Sequence, residues 1–115
     1  MIVFSLSIRV PKSGRADFLK SIRALLEPTR VLPGCLGCRL YGDIESSDVF
    51  TLVEEWASQE ALDRHLTSSA CKTLIAVIEL SEEPPEIRFD RVAQRAGIEV
   101  IEAALGAEAR SLVTP

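Results

Sequence analysis

The chain opens on a strict alternation. Ile2, Phe4, Leu6, Ile8 and Val10 are apolar, and Val3, Ser5, Ser7 and Arg9 stand between them. A period of two puts the first set on one face of a strand over residues 2–10. Pro11, Ser13 and Gly14 break it. The period then changes. Phe18, Ile22, Leu25 and Leu26 recur at i, i+4, i+7 and i+8, one stripe of a helix over 15–27 that Pro28 ends or kinks, with room for a last turn before Pro33-Gly34.

Two strands follow, at 35–42 and 49–57, joined by the Ser- and acid-rich loop Asp43–Asp48. In the later strand Phe50, Leu52, Glu54 and Trp56 share one face, and Val49, Thr51 and Val53 share the other. Ser58 is placed to cap a helix over 59–66, with Glu60 in its first turn. Thr67, Ser68 and Ser69 interrupt it and can cap a second segment over 69–80. Leu74 to Ile78 make that segment apolar all round, which predicts deep packing. Past Pro84 and Pro85, Ile87 and Phe89 alternate with Glu86, Arg88 and Asp90 in a last strand over 86–92.

This order is β-α-β-β-α-β, an α+β ferredoxin-like fold with an antiparallel sheet and its helices on one face. The other face, with its valines, has no cover within the chain. A second copy, sheet against sheet, is the simplest cover, and a homodimer is expected. Residues 1–92 form the domain, and 93–115 form a helical appendage with a stripe of Val100, Ile101, Ala104 and Leu105.

Composition narrows the function classes. The 115 residues suffice for one core. A net charge of -4 gives no electrostatic basis for nucleic-acid binding. No run approaches the roughly 18 apolar residues of a membrane span. The N-terminus has no basic segment and no small-residue cleavage site, so neither a membrane nor a secretory route is expected. Three cysteines are too few for a disulfide framework and point to a reducing cytoplasm.

His65 is the one histidine and the candidate base. It stands at helical spacing from Ala61 and Leu62, on the border of an apolar face. Trp56 is placed to stack on an aromatic ligand or to pack in the core. Tyr41 offers a phenolic donor and Arg39 a cation for an anionic substrate, unless both are surface groups. Glu54 stands among apolar neighbours and needs a partner, either an arginine such as Arg39 or Arg88, or a role as second base. Ser7 is placed to line a pocket or the dimer face. Cys35-Leu36-Gly37-Cys38 is a C-x-x-C, but on a strand residues three apart point to opposite faces, so neither a redox pair nor a metal site is expected.

Read together, Pro33-Gly34-Cys35-Leu36, Arg39-Leu40-Tyr41, Val53-Glu54-Glu55-Trp56, Glu60-Ala61-Leu62 and His65-Leu66 resemble, in this order, the antibiotic-biosynthesis-monooxygenase-like domain and its quinol monooxygenase members. The resemblance covers residues 1–92. It implies a dimeric α+β barrel with a pocket between each sheet and its helices. For the enzymatic members it implies oxygenation of a small electron-rich aromatic by O2, without metal, flavin or haem. The haem-degrading branch places an Asn, a Trp and a ligating His where this chain carries Ile8, His65 and Ile75. Three functions follow: a cofactor-free monooxygenase with His65 as base, a non-catalytic ligand-binding or assembly domain, and a proton-transfer enzyme such as an isomerase.

Overall fold

The computed structural model describes residues 1–106. Strands β1 (Ile2–Arg9), β2 (Cys35–Gly42), β3 (Val49–Trp56) and β4 (Glu86–Arg91) form one antiparallel sheet in the order β2-β3-β1-β4. Helices α1 (Arg15–Arg30), α2 (Gln59–Leu66) and α3 (Ser69–Ile78) lie on one face of it. The expected α+β ferredoxin-like order is present, with the second helical segment split in two.

The split is local chemistry. Ser58 Oγ accepts the Ala61 N–H and caps α2, and Ser68 Oγ accepts the Cys71 N–H and caps α3. Ser68 Oγ also donates to the His65 carbonyl at 2.6 Å, tying the end of α2 to the start of α3. One residue therefore joins both helices at the position where His65 faces inward.

The alternation of β1 fixes the core. Phe4, Leu6, Ile8 and Val10 pack with Phe18 and Ile22 of α1, Leu52 of β3, and Leu74 and Val77 of α3. A second cluster of Ile2, Trp56, Ala61 and Leu62 closes the other end. Gly34 makes the tight entry to β2. Its φ is +84°, and a Cβ there would meet Ala61 Cβ.

Helix α1 takes the last turn past Pro28 and runs to Arg30. Its last turn is held by tertiary contacts: Thr29 is buried, and Arg30 Nε donates to the Cys38 carbonyl at 2.9 Å on the sheet edge. Two expectations, the all-round packing of α3 and the opposite faces of the two strand cysteines, need correction. Helix α3 is not buried all round. Cys71, Leu74 and Val77 face the core, whereas Ile75 is 53% exposed. A helix in the outer layer, packed on the sheet and on α1, still turns one side to solvent whatever its composition.

The cysteine motif also differs. The register shifts between Cys35 and Gly37, with Cys35 opposite Trp56 and Cys38 opposite Glu54. Leu36 is the extra residue of a β-bulge, so both cysteines point to the helix side. Burial pushes all three thiols up, Cys38 to about 12, with the Glu54 carboxylate adding to the effect. The thiols are held protonated, against redox use. Strand β4 carries Ile87 and Phe89 on the helix side but half exposed, because α2 touches that edge only through Gln59 and Arg91 and leaves a groove beside it.

Helix α4 (Glu99–Leu105) is the predicted helical stripe, and Val100, Ile101 and Leu105 are exposed. Expectations for the chain end beyond residue 106 lie outside the described residues. Among the described residues no helix is long and apolar enough to cross a membrane.

Candidate functional site

Strand parity brings Glu54 and Trp56 to the helix face of β3, two residues apart. Across the neighbouring strands Glu54 is flanked by Phe4 and Cys38, so the sheet around it offers no charge partner. The partner comes from above. Helix α2 places His65 one turn after Ala61 and Leu62, and the imidazole descends onto the sheet.

The three side chains form one buried unit. Trp56 Nε1 donates to Glu54 Oε1 at 3.1 Å. The imidazole stacks on the indole with centroids 4.7 Å apart and planes 23° apart. His65 Nε2 lies 3.2 Å from the same Glu54 Oε1. Glu54 is 2% exposed and His65 4%. The distance between His65 and Glu54 is short, yet neither ring nitrogen has an aligned hydrogen bond. The contact is electrostatic proximity off the N–H line, and the stacked indole fixes the ring plane. Two buried ring nitrogens without an aligned partner are unusual, since nearly all buried polar atoms are satisfied.

Both groups face a cavity of about 10 Å³ between α1, α3 and the sheet. Its apolar wall is Ile22, Leu25, Leu26, Leu52 and Leu74, and its other side includes Thr29, Glu54, His65 and Ala70. The volume is that of roughly one water molecule. The site is therefore closed as it stands.

The sequence reading divides sharply here. His65, Glu54 and Trp56 come together. The expected arginine partner of Glu54 is replaced by the indole N–H and the imidazole. Arg39, Tyr41 and Ser7 do not join them. Arg39 and Tyr41 pair with Val53 and Thr51 of β3, and Ser7 pairs with Thr51, all on the opposite sheet face. Ser7 Oγ and Thr51 Oγ1 are 2.7 Å apart there, and Tyr41 is 52% exposed. The alternation that buries Cys38 and points Leu40 toward the core necessarily turns Arg39 and Tyr41 away from it. Sequence reasoning missed Thr29, which continues the Phe18–Ile22–Leu25–Leu26 stripe by three residues, in the turn past Pro28.

No group of three or more His, Cys, Asp and Glu side chains that could hold a metal is present among the described residues.

The comparisons with known proteins agree with this architecture. A family model described as antibiotic biosynthesis monooxygenase matches residues 1–77. A curated relative, an uncharacterized protein of Synechocystis, is 27% identical over 94 residues, which is 81% of this chain and 64% of that protein. The chain thus spans less than two thirds of that relative's length. Among solved structures, an antibiotic biosynthesis monooxygenase superposes with a TM-score of 0.73 at 21% identity, covering 82% of this chain and all of the other. Rv0793 from Mycobacterium tuberculosis gives 0.75 at 23%, over 84% of this chain and 98% of the other. A conserved protein from Methanosarcina mazei gives 0.73 at 24%, over 78% and 90%. At these identities the structural likeness establishes the fold. With the family model covering two thirds of its length, the chain belongs to the antibiotic biosynthesis monooxygenase family.

Proposed function

We propose that this protein is a cofactor-independent monooxygenase of a small electron-rich aromatic, a quinol or a polyketide-like ring, with His65 as its base. The observation that carries the reading is the buried imidazole whose two nitrogens lack aligned partners beside a cavity. Family membership supports it.

The chemistry asks little of the protein. A phenolic or benzylic proton passes to the imidazole. The substrate anion then gives electrons to O2. One oxygen atom enters the product and the other leaves as water: an anthrone-type CH2 and O2 become C=O and H2O, and a hydroquinone and O2 become a hydroxyquinone and H2O. The Glu54 carboxylate, 3.2 Å away, stabilises the positive charge that the imidazole gains. Trp56 holds the ring plane. The apolar wall keeps bulk water from the anion. In this reading Glu54 and Trp56 act through His65, as positioning residues.

A cavity of about 10 Å³ cannot hold an aromatic ring. The reading requires its roof, Leu25 and Leu26 of α1 with Leu74 of α3, to move outward when substrate enters. That closed state favours a second reading, a non-catalytic domain of the same fold that serves binding or assembly. We further propose that the open sheet face, with Val3, Val49, Thr51 and Val53, pairs with a second copy.

Oxygen uptake with a panel of hydroquinones and anthrones, in protein treated with chelator, tests the reading. The expected result is uptake that His65→Ala abolishes while circular dichroism and molecular mass are unchanged. Saturable binding without uptake supports the second reading. Isomerised product formed without oxygen supports a proton-transfer enzyme. Uptake that survives His65→Ala removes the assigned base.

A further inference from the structure

Helix α2 has a second working face. His65 turns toward the closed cavity, whereas Leu62 and Leu66 turn toward the uncovered edge of the sheet. Between α2 and β4 they border a groove of about 340 Å³ with Ile2, Gln59, Phe89 and Arg91. This volume lies in the range of small-molecule sites. It is also far larger than the cavity at His65.

The groove has a floor, a wall and one charge. Leu62 and Ile2 form the floor and belong to the buried cluster around Trp56. Phe89 forms the wall. Its ring packs on Phe4 with centroids 4.9 Å apart, yet 49% of the residue stays exposed. Leu66 is 39% exposed at the rim. An aromatic and a leucine held half-open against a rigid core form a ready apolar surface.

Arg91 stands at the mouth. Its Nη2 donates to Gln59 Oε1 at 2.9 Å, and Gln59 Nε2 donates on to Asp63 at 2.8 Å. The guanidinium is thus oriented through a neutral amide. Among the described residues no carboxylate lies within ion-pair distance of it, as is also true of Arg23, Arg39 and Arg64, but Arg91 alone of these is held at an apolar groove by a side-chain hydrogen bond. An oriented guanidinium with unused donors recognises a carboxylate in bidentate fashion.

We propose that this groove binds a free apolar monocarboxylate, its hydrocarbon or aryl body on Leu62, Leu66 and Phe89 and its carboxylate on Arg91. The site is separate from the one assigned to oxygenation and does not depend on it. Charge complementarity selects the occupant: a neutral apolar molecule, or an apolar segment of a second copy, would leave the oriented guanidinium without an acceptor.

The test is a fluorescence titration of the full chain with 1-anilinonaphthalene-8-sulfonate, followed by competition with decanoate and with decanol. The expected result is saturable binding of one probe per chain, displaced by decanoate about tenfold more effectively than by decanol. Arg91→Gln weakens decanoate about tenfold and leaves decanol unchanged. Leu66→Ser weakens both. Arg88→Gln, on the other side of β4, changes neither. Urea midpoints of all three variants establish that the probe reports the groove and not loosened structure. The proposal is overturned by absence of saturable binding, by equal competition from decanoate and decanol, or by an Arg91→Gln variant that binds like the parent. It is also overturned if Leu66→Ser changes the molecular mass by light scattering, since the groove would then be an interface between copies. Oxygen uptake plays no part in these readings, so failure here leaves the oxygenase reading untouched, and the converse holds.

Discussion

Trp56→Phe isolates the one aligned hydrogen bond that the buried Glu54 carboxylate receives. The indole is fully buried, and its Nε1 donates to Glu54 Oε1 at 3.1 Å. Phenylalanine keeps an aromatic ring in place and removes that donor. A hydrogen bond to a charged group is worth about 1.5–3 kcal/mol. The space left by the smaller ring adds about 1 kcal/mol. The expected loss is about 2.5–4 kcal/mol, against a total stability of about 5–15 kcal/mol for a domain. With a urea slope typical of a chain this size, the midpoint falls by about 2 M. Trp56 is the only tryptophan, so unfolding is followed by circular dichroism. The companion variant is Trp56→Phe with Glu54→Leu, which removes donor and acceptor together. It should be more stable than Trp56→Phe alone, because no buried carboxylate is left without its donor. A cost below about 1 kcal/mol for Trp56→Phe, or strict additivity of the two substitutions to within about 0.5 kcal/mol, would refute the account of a coupled buried unit.

Other outcomes follow from single observations. Cys38 is pushed from 9.0 to about 12, so the folded state favours its neutral form. Stability is then unaffected below pH 9 and falls by about 1.4 kcal/mol per pH unit as pH rises from there toward 12, a slope that Cys38→Ala reduces in alkaline urea titrations. At pH 8 alkylation of Cys38 should run about a thousandfold slower in the native chain than in the unfolded one, by mass spectrometry. Gly34→Ala combines a φ of +84° with a Cβ that clashes with Ala61 Cβ, and should cost about 2–4 kcal/mol. Gly37→Ala meets nothing within 4 Å and should stay within about 0.5 kcal/mol, so equal midpoints for the two variants would contradict the packing described. In the proposed sheet-to-sheet pairing Val53 is at the interface, so Val53→Lys should lower the molecular mass in light scattering to that of one chain, and a parent that is itself a single chain, or a variant that stays paired, would contradict that pairing.

Much of this was legible in the residues themselves. The unbroken alternation of Ile2 to Val10 fixed a strand and its buried face, and the Phe18–Ile22–Leu25–Leu26 stripe fixed the helix that covers it. Parity alone put Glu54 beside Trp56, and helical spacing aimed His65 inward. That Glu54 meets His65 was not legible, because it depends on the height and tilt at which α2 crosses the sheet. The bulge at Leu36 was hidden behind ordinary strand residues, although Gly37 inside a strand is the usual sign of one. Its effect reached further than one residue, turning both cysteines to the same face. Arg39 and Tyr41 follow the surface alternative for a simpler reason. They alternate with Leu40, and Leu40 packs against the core. The exposed side of α3 reflects a limit of composition: Leu74 to Ile78 are all apolar, but a single layer of helix covers only what lies beneath it.

The closed interior makes the oxygenase reading a claim about motion as well as chemistry. Glu54, Trp56 and His65 are already assembled, so the part that must change is the roof of Leu25, Leu26 and Leu74. The most direct measurement is a crystal structure with a non-oxidisable quinol analogue, such as a fluorinated or methylated hydroquinone. The account predicts the analogue beneath α1, one of its oxygens within hydrogen-bond distance of a His65 ring nitrogen, and the two leucines of α1 displaced outward. An analogue bound on the opposite sheet face beside Arg39 and Tyr41, with the space around His65 unchanged, would contradict it.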